Sequence, residues 1–133
     1  MQVVIFKLGN EQFALNTDKV QGINDAMEIT KVPNAPGFII GLMNLRGNVI
    51  ALLDINILLD VPKASQNQDN IIIIDTENEL LGIAVDQVED VLDIDADIIE
   101  KPVDDFRKEY VEGIINFKDS IATLINIDKL LIN

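Results

Sequence analysis

The densest group of side chains that could do chemistry is the acidic run Asp93-Ile94-Asp95-Ala96-Asp97, with Glu100 beyond it. Alternate carboxylates of this kind begin the loops that bind Ca²⁺. The run departs from that pattern because Ile98 stands at the sixth position, where glycine makes a sharp turn, and Asp104 stands at the twelfth, where glutamate is expected. Alternation of Asp with Ile and Ala instead favours a half-buried strand with one solvated face. A weak cation site at Asp93, Asp95 and Asp97 is the alternative.

Most other catalytic side chains are absent from the sequence. The chain has no Cys, no His and no Trp, which excludes disulfides, thiolate or imidazole metal ligands and histidine-based triads. General acid or base catalysis near neutral pH would depend on a carboxylate, a lysine or Tyr110 with a large pKa shift. No phosphate-binding glycine loop and no nucleophile elbow occurs. We therefore predict a non-enzymatic protein without cofactor or metal. The alternative is an enzyme or cation-binding protein that uses the acidic second half.

Arg46 is one of only two arginines in the chain, and Gly47 follows it in a predicted hairpin turn. A turn exposes the planar guanidinium donors, and the glycine lets a partner backbone approach closely. Two interpretations stay open from the sequence. Arg46 is either the partner of a local ion pair or a contact for an acidic or carbonyl-rich surface of another protein.

The 23 acidic and 10 basic side chains give a formal net charge of −13. Residues 1–66 hold 6 acidic and 5 basic side chains, whereas residues 67–133 hold 17 and 5, which predicts a nearly neutral first barrel and an acidic second barrel. Nucleic acid is excluded as a main partner, because phosphates repel such a protein and no basic cluster is denser than Arg107-Lys108. The chain begins without a signal-peptide pattern and has no apolar run near the ~18 residues that span a bilayer. We expect a cytoplasmic protein without membrane insertion.

An internal repeat organises the elements that must position these residues. Residues 41–59 align without gaps on residues 113–131, and six of the nineteen positions are identical. Upstream, Asn10-Glu11 and Asp18-x-Val20 recur 68 residues later as Asn78-Glu79 and Asp86-x-Val88, and Val32-Pro33 is echoed by Lys101-Pro102. Four matching segments in the same order indicate two versions of one structural unit. The boundary is the polar stretch 62–70, which we interpret as a linker between subdomain 1 (residues 1–62) and subdomain 2 (residues 70–133) of a single domain.

Each unit is predicted to be mostly strand. Apolar segments separated by turn residues indicate two hairpins in each unit, and the four consecutive isoleucines 71–74 indicate a strand buried on both faces. Short helices are predicted after the first hairpin of each unit and at the end of each unit, at residues 18–23, 86–91, 54–59 and 128–132. Many short strands with frequent turns favour two small β-barrels packed side by side. Small barrels bury a limited fraction of their surface, which leaves apolar grooves for partners.

Seven segments of the sequence resemble the CheW coupling proteins of bacterial chemotaxis. The block Gly41-x-x-Asn44-Leu45-Arg46-Gly47-x-Val49-Ile50 is the most specific of them, and the resemblance runs from Val3 to Leu131. The other segments are Phe6-x-Leu8-Gly9-x-Glu11-x-Phe13-Ala14-Leu15, Lys19-Val20-Gln21-x-Ile23, Thr30-x-Val32-Pro33-x-x-Pro36, Leu53-Asp54, Gly82-x-x-Val85-Asp86-x-Val88-x-x-Val91 and Tyr110-x-x-Gly113.

The resemblance implies a mainly β fold of two similar five-stranded β-barrel subdomains with short helices. It also implies a non-enzymatic scaffold that links the cytoplasmic tips of transmembrane chemoreceptors to the histidine kinase CheA, through the regulatory domain of that kinase. Receptor tips are helical hairpins, which suit an apolar groove between the barrels. The groove residues implied are Val20, Ile23, Gly41, Asn44, Arg46, Val88 and Val91.

Two positions depart from the family pattern. Gly22 stands where many relatives have an acidic residue, so one polar partner contact is absent or shifted. Ala51 stands where Pro is usual, which restores a backbone donor. The same domain occurs within CheA and in larger coupling proteins, so a regulatory fragment of a longer chemotaxis protein is the alternative to a stand-alone adaptor. Because one domain uses all 133 residues, we expect the stand-alone form.

Overall fold

The computed structural model describes residues 1–62, 68–77, 79–101 and 109–131. Within these ranges the chain is mainly β, with two five-residue helices. The strands are β1 (Gln2–Leu8), β2 (Glu11–Asn16), β3 (Val20–Asp25), β4 (Ile39–Leu45), β5 (Asn48–Asp54), β6 (Asn70–Asp75), β7 (Leu80–Val85), β8 (Gln87–Asp93), β9 (Ile99–Glu100), β10 (Val111–Asn116) and β11 (Ile121–Ile125), and the helices are α1 (Ile55–Leu59) and α2 (Ile127–Leu131).

The strands form two sheets of the same design. The six-stranded sheet has the order β8-β1-β2-β11-β10-β9, and the five-stranded sheet has the order β3-β6-β7-β5-β4. Each sheet contains one parallel pair, β2 with β11 and β5 with β7, and its other pairs are antiparallel. An isolated bridge between Thr30 and Leu42 stands beside β4 where β9 stands beside β10. The repeat inferred from the sequence therefore corresponds to equivalent strands in the two sheets.

The two sheets do not follow the predicted boundary between subdomains. The five-stranded sheet is built from one continuous segment, residues 20–85, whereas the six-stranded sheet combines β1 and β2 with β8 to β11. Each half of the chain therefore gives its first hairpin to the sheet formed mainly by the other half. The parallel pairs β2 with β11 and β5 with β7 join each exchanged hairpin to its sheet, and parallel neighbours need a long connection along the chain. Residues 63–67 of the predicted linker lie outside the described residues.

The four predicted hairpins are confirmed. They pair β1 with β2, β4 with β5, β6 with β7, and β10 with β11. Two of the turns use left-handed backbone, at Gly9 (φ 62°) and at the consecutive residues Arg46 (φ 54°) and Gly47 (φ 86°), a conformation that favours glycine. The isoleucines 71–74 are almost completely buried in β6, which lies between β3 and β7.

Two of the four predicted helices are wrong. Asn16 caps the first of these segments, since its Oδ1 accepts a hydrogen bond from the backbone N–H of Asp18 at 2.9 Å. The helix stops after one 3₁₀ turn at Thr17–Lys19, however, and β3 follows. Residues 87–93 form strand β8 in place of the helix at 86–91. The helices at the ends of the two units are confirmed as α1 and α2, and Asp54 caps α1 by accepting from the backbone of Asn56 at 3.0 Å.

Three apolar clusters hold the sheets together. One lies on the inner side of the six-stranded sheet and includes Val3, Ile5 and Leu124. A second lies on the inner side of the five-stranded sheet and includes Met43 and Ile71. The third, which we call the shared cluster, contains buried residues from both sheets and both helices: Val4, Phe6, Leu8, Phe13, Leu15, Leu53, Ile55, Leu59, Ile72, Ile74, Leu81, Ile83, Val85, Ile125, Ile127 and Leu130.

Candidate partner-binding surface

Val20 and Ile23 lie on one face of β3, an edge strand of the five-stranded sheet. Val20 is opposite Ile74 of β6, and Ile23 is opposite Ile72. Residues opposite each other in an antiparallel pair project from the same face, and both isoleucines belong to the shared cluster. A bulge between Val20 and Gly22 adds one residue to β3, so two side chains three residues apart share a face.

Val88 and Val91 are arranged in the same way on β8, an edge strand of the six-stranded sheet. Val88 is opposite Phe6 of β1, and Val91 is opposite Val4. Phe6 and Val4 also belong to the shared cluster, and the register between β1 and β8 shifts between these two pairs. The two edge strands therefore present matching pairs of aliphatic side chains on the faces that border the shared cluster.

The four aliphatic residues form what we call the β3–β8 surface. Val20 of β3 and Val88 of β8 are half-buried, and both pack against the shared cluster. Ile23 and Val91 are exposed by 41% and 42% of their surface. Apolar side chains that continue a buried core to the surface on two unpaired strand edges are typical of a docking site for another protein.

Short, hydrogen-bonded connections fix where β3 and β8 begin. Asp86 is the single residue between β7 and β8. Its carboxylate accepts a hydrogen bond from the backbone N–H of Gly9 at 2.6 Å, and its backbone carbonyl accepts one from Asp69 at 3.3 Å. Before β3, Lys19 pairs with Asp128 at 3.3 Å. The recurrence of Asp18-x-Val20 as Asp86-x-Val88 indicates a common element here, but no sequence pattern indicates that Asp86 joins the two sheets.

Gly41 and Asn44 lie apart from this surface, on β4 at the opposite edge of the five-stranded sheet. Gly41 is buried, and a Cβ atom built on it would lie 2.5 Å from the carbonyl oxygen of Thr30. The Asn44 side chain accepts a hydrogen bond from the backbone N–H of Gly47 at 2.9 Å. These contacts give Gly41 and Asn44 structural roles, in strand packing and in the hairpin turn.

Arg46 lies beside β3 but on the face opposite Val20 and Ile23. Its exposed side chain helps to line a cleft of about 170 Å³, together with Gln21, Gly22 and Asn24 of β3. Gly22 and Asn24 are opposite Ile73 and Ile71, whose side chains belong to the inner cluster of the five-stranded sheet. The structure thus brings Arg46 to the same edge strand as the apolar pair, with the backbone of β3 between them.

The acidic run at 93–97 does not form the predicted half-buried strand. β8 ends at Asp93, and Asp95 caps a 3₁₀ turn by accepting from the backbone N–H of Asp97 at 3.1 Å. Among the residues that the structure describes, no group of three or more acidic side chains is placed to hold a metal ion. Asp104 and the basic pair Arg107-Lys108 lie outside those residues.

The fold is that of an adaptor domain. A family model described as the CheW-like domain matches residues 2–133, so the chain belongs to the CheW-like family. The chain is 32% identical to a chemotaxis protein CheW of Klebsiella aerogenes over 98% of its own length and 81% of that protein, and 27% identical to one of Rhizobium meliloti over 97% and 86%. It superposes with a TM-score of 0.86 on the crystal structure of the scaffolding protein TtCheW of Thermoanaerobacter tengcongensis, which is 32% identical, over 97% of this chain and 86% of that one.

Neither helix in the described part of the chain is long and apolar enough to cross a membrane.

Proposed function

We propose that the β3–β8 surface receives the helical tip of a chemoreceptor. The protein is a chemotaxis adaptor that couples chemoreceptors to the histidine kinase CheA, and it needs a surface for the receptor. We further propose that it acts without catalysis, as a scaffold in the cytoplasm at receptor arrays. The observation that carries the proposal is the matching pair of aliphatic side chains on each of two edge strands, which border one shared cluster.

The chemistry of this surface suits a helix. Ile23 and Val91 are each more than 40% exposed, while Val20 and Val88 continue the apolar surface down to the shared cluster. An amphipathic helix buries its apolar stripe against such side chains at intervals of three or four residues. Burying the exposed part of an aliphatic side chain contributes about 1 kcal/mol, so two such contacts are enough to alter binding measurably.

The test is co-sedimentation with receptor-containing membranes and CheA. The wild-type protein should join a three-way assembly. Ile23→Glu and Val91→Glu should each weaken receptor binding about tenfold or more, because a carboxylate would have to be buried against the receptor. Ile98→Glu is the matched control, since Ile98 is 43% exposed but lies on the 3₁₀ turn beyond β8. Equal loss in all three variants, or no binding by the wild type, would contradict the proposal.

A further inference from the structure

Arg46 presents an exposed guanidinium that makes no salt bridge with the residues the structure describes. Lys7 and Lys19, by contrast, lie 3.9 Å from Glu89 and 3.3 Å from Asp128. No carboxylate in the described ranges lies within 4 Å of Arg46, although the protein carries 23 acidic side chains. The neutral side chains of Gln21 and Asn24 line the cleft beside it.

The internal repeat gives the counterparts of Gly22 and Arg46 in the six-stranded sheet, which lie within the described residues and form no salt bridge with each other. Gly22 corresponds to Asp90 at the 68-residue offset, and Arg46 corresponds to Lys118 at the 72-residue offset. Gly22 and Asp90 each stand two residues after the first aliphatic residue of their edge strand, just beyond a register shift. The six-stranded sheet therefore has an acidic and a basic residue at these positions, whereas the five-stranded sheet has only the base.

Nothing in the local structure requires glycine at position 22. Its φ is outside the left-handed region, and a Cβ atom there would meet only Asn24 Oδ1, at 3.7 Å. The glycine therefore leaves space for a side chain in the cleft that Arg46 lines. A carboxylate from another molecule can enter that space and accept two parallel hydrogen bonds from the guanidinium.

We infer that this cleft is a carboxylate site, which an Asp or Glu side chain of the receptor tip fills. The inference rests on the proposed function and deepens it by naming a polar contact. A strand at the edge of a sheet is one chain thick, so a helix lying along β3 can place apolar side chains on Val20 and Ile23 and an acidic side chain beside Arg46. The acidic contact fixes the register of the receptor helix along β3, which the aliphatic contacts alone do not.

The experiment places a carboxylate in the cleft from within the chain. Gly22→Glu should pair with Arg46 and exclude the receptor side chain, so the affinity for an isolated receptor cytoplasmic fragment should fall about tenfold. Gly22→Gln is the control of equal size. Its amide has no charge to hold it beside Arg46, so the receptor carboxylate can displace it, and the affinity should fall less than for Gly22→Glu. Arg46→Gln should also lose about tenfold, and combining it with Gly22→Glu should cost little more, because both remove one contact. Affinity for CheA should stay unchanged in all of them.

A second measurement does not depend on the receptor. Gly22→Glu should raise the midpoint of thermal unfolding by about 1–4 °C relative to Gly22→Gln, and only while Arg46 is present. If Glu and Gln at position 22 weaken receptor binding equally, or if the thermal difference survives Arg46→Gln, the carboxylate site is wrong. A wild-type protein that does not bind the fragment would instead contradict the proposed function, and the thermal comparison would still decide whether the cleft binds a carboxylate.

Discussion

At the scale of single residues, Gly41 shows why a motif residue need not touch a partner. The backbone of Thr30 passes so close to Gly41 that a Cβ atom would lie 2.5 Å from its carbonyl oxygen. Gly113 has the same environment in the other sheet, where Glu100 O would be 2.9 Å away. The sequence showed both glycines aligned in the repeat. It could not show that their role is close packing, because no residue pattern indicates that the chain around Thr30 and Glu100 folds back against them.

Gly41→Ala is therefore expected to reduce the free energy of unfolding by about 1–3 kcal/mol, as other overpacked substitutions do. Urea unfolding followed by circular dichroism measures this change. Gly37→Ala is the control, because a Cβ atom at Gly37 would have no neighbour within 4 Å. Equal stability of the two variants would show that the β4 edge moves freely away from Thr30.

Tyr110 gives the protein a pH dependence in the alkaline range. Burial, and after it the negative charge of Asp60, raises the pKa of Tyr110 above its ordinary value of 10.0. Below pH 10 the side chain is neutral in both states, so its contribution to stability is fully present. Above that pH the unfolded chain loses the proton first, and stability falls as pH rises through the folded pKa. Tyr110→Phe should show a shallower decline in the free energy of unfolding between pH 9 and 11. Identical profiles would contradict the assignment.

At the scale of elements, the spacing of apolar residues wrongly predicted helices where the structure has β3 and β8. Val20 with Ile23, and Val88 with Val91, are three residues apart, which is typical of one face of a helix. A bulge also places residues three apart on one face of a strand, and a single sequence has no clear signal for a bulge. The hairpins were predictable because turn residues and apolar runs are local. The pairing of β2 with β11 was not, since it joins residues more than 100 positions apart.

The exchange of hairpins makes a prediction about fragments. Residues 1–62 lack β6 and β7, which complete the five-stranded sheet, and residues 68–133 lack β1 and β2, which complete the other. Each fragment alone should give the amide NMR spectrum of an unfolded chain, and an equimolar mixture should recover the spectrum of the intact protein. A fragment that folds alone with its native spectrum would show that its sheet does not need the hairpin from the other half of the chain.

At the scale of the whole molecule, the sheets redistribute the charge. The sequence halves carry net charges of −1 and −12, which predicted one nearly neutral barrel and one acidic barrel. Residues 20–85, which include the whole five-stranded sheet, hold 8 acidic and 3 basic side chains, and the rest of the chain holds 15 and 7. The two parts therefore carry −5 and −8. The difference in net charge is smaller than predicted. The acidic side chains of residues 69–79 belong to the part that includes the five-stranded sheet, and Lys7 and Lys19 belong to the other part.

The shared cluster makes the two sheets one folding unit. Its buried residues come from both sheets and both helices, so neither sheet can lose its structure without exposing apolar surface of the other. Thermal unfolding should therefore be a single transition in which the calorimetric and van't Hoff enthalpies agree. Ile83→Ala, which removes a completely buried side chain of the cluster, should lower the midpoint and keep one transition. Two resolved transitions would contradict this view.

The crossings between the sheets have a mechanical consequence. Between the strands that the structure describes, the chain passes from one sheet to the other at residues 17–19 and at Asp86, and these short segments lead directly into β3 and β8. Asp86 is held by Gly9 on one side and Asp69 on the other, and Lys19 is held by Asp128. Because both connections are short and are held by these contacts, they resist rotation of one sheet against the other. A displacement of the two edge strands therefore moves both sheets together as a rigid unit, without bending at a hinge between them.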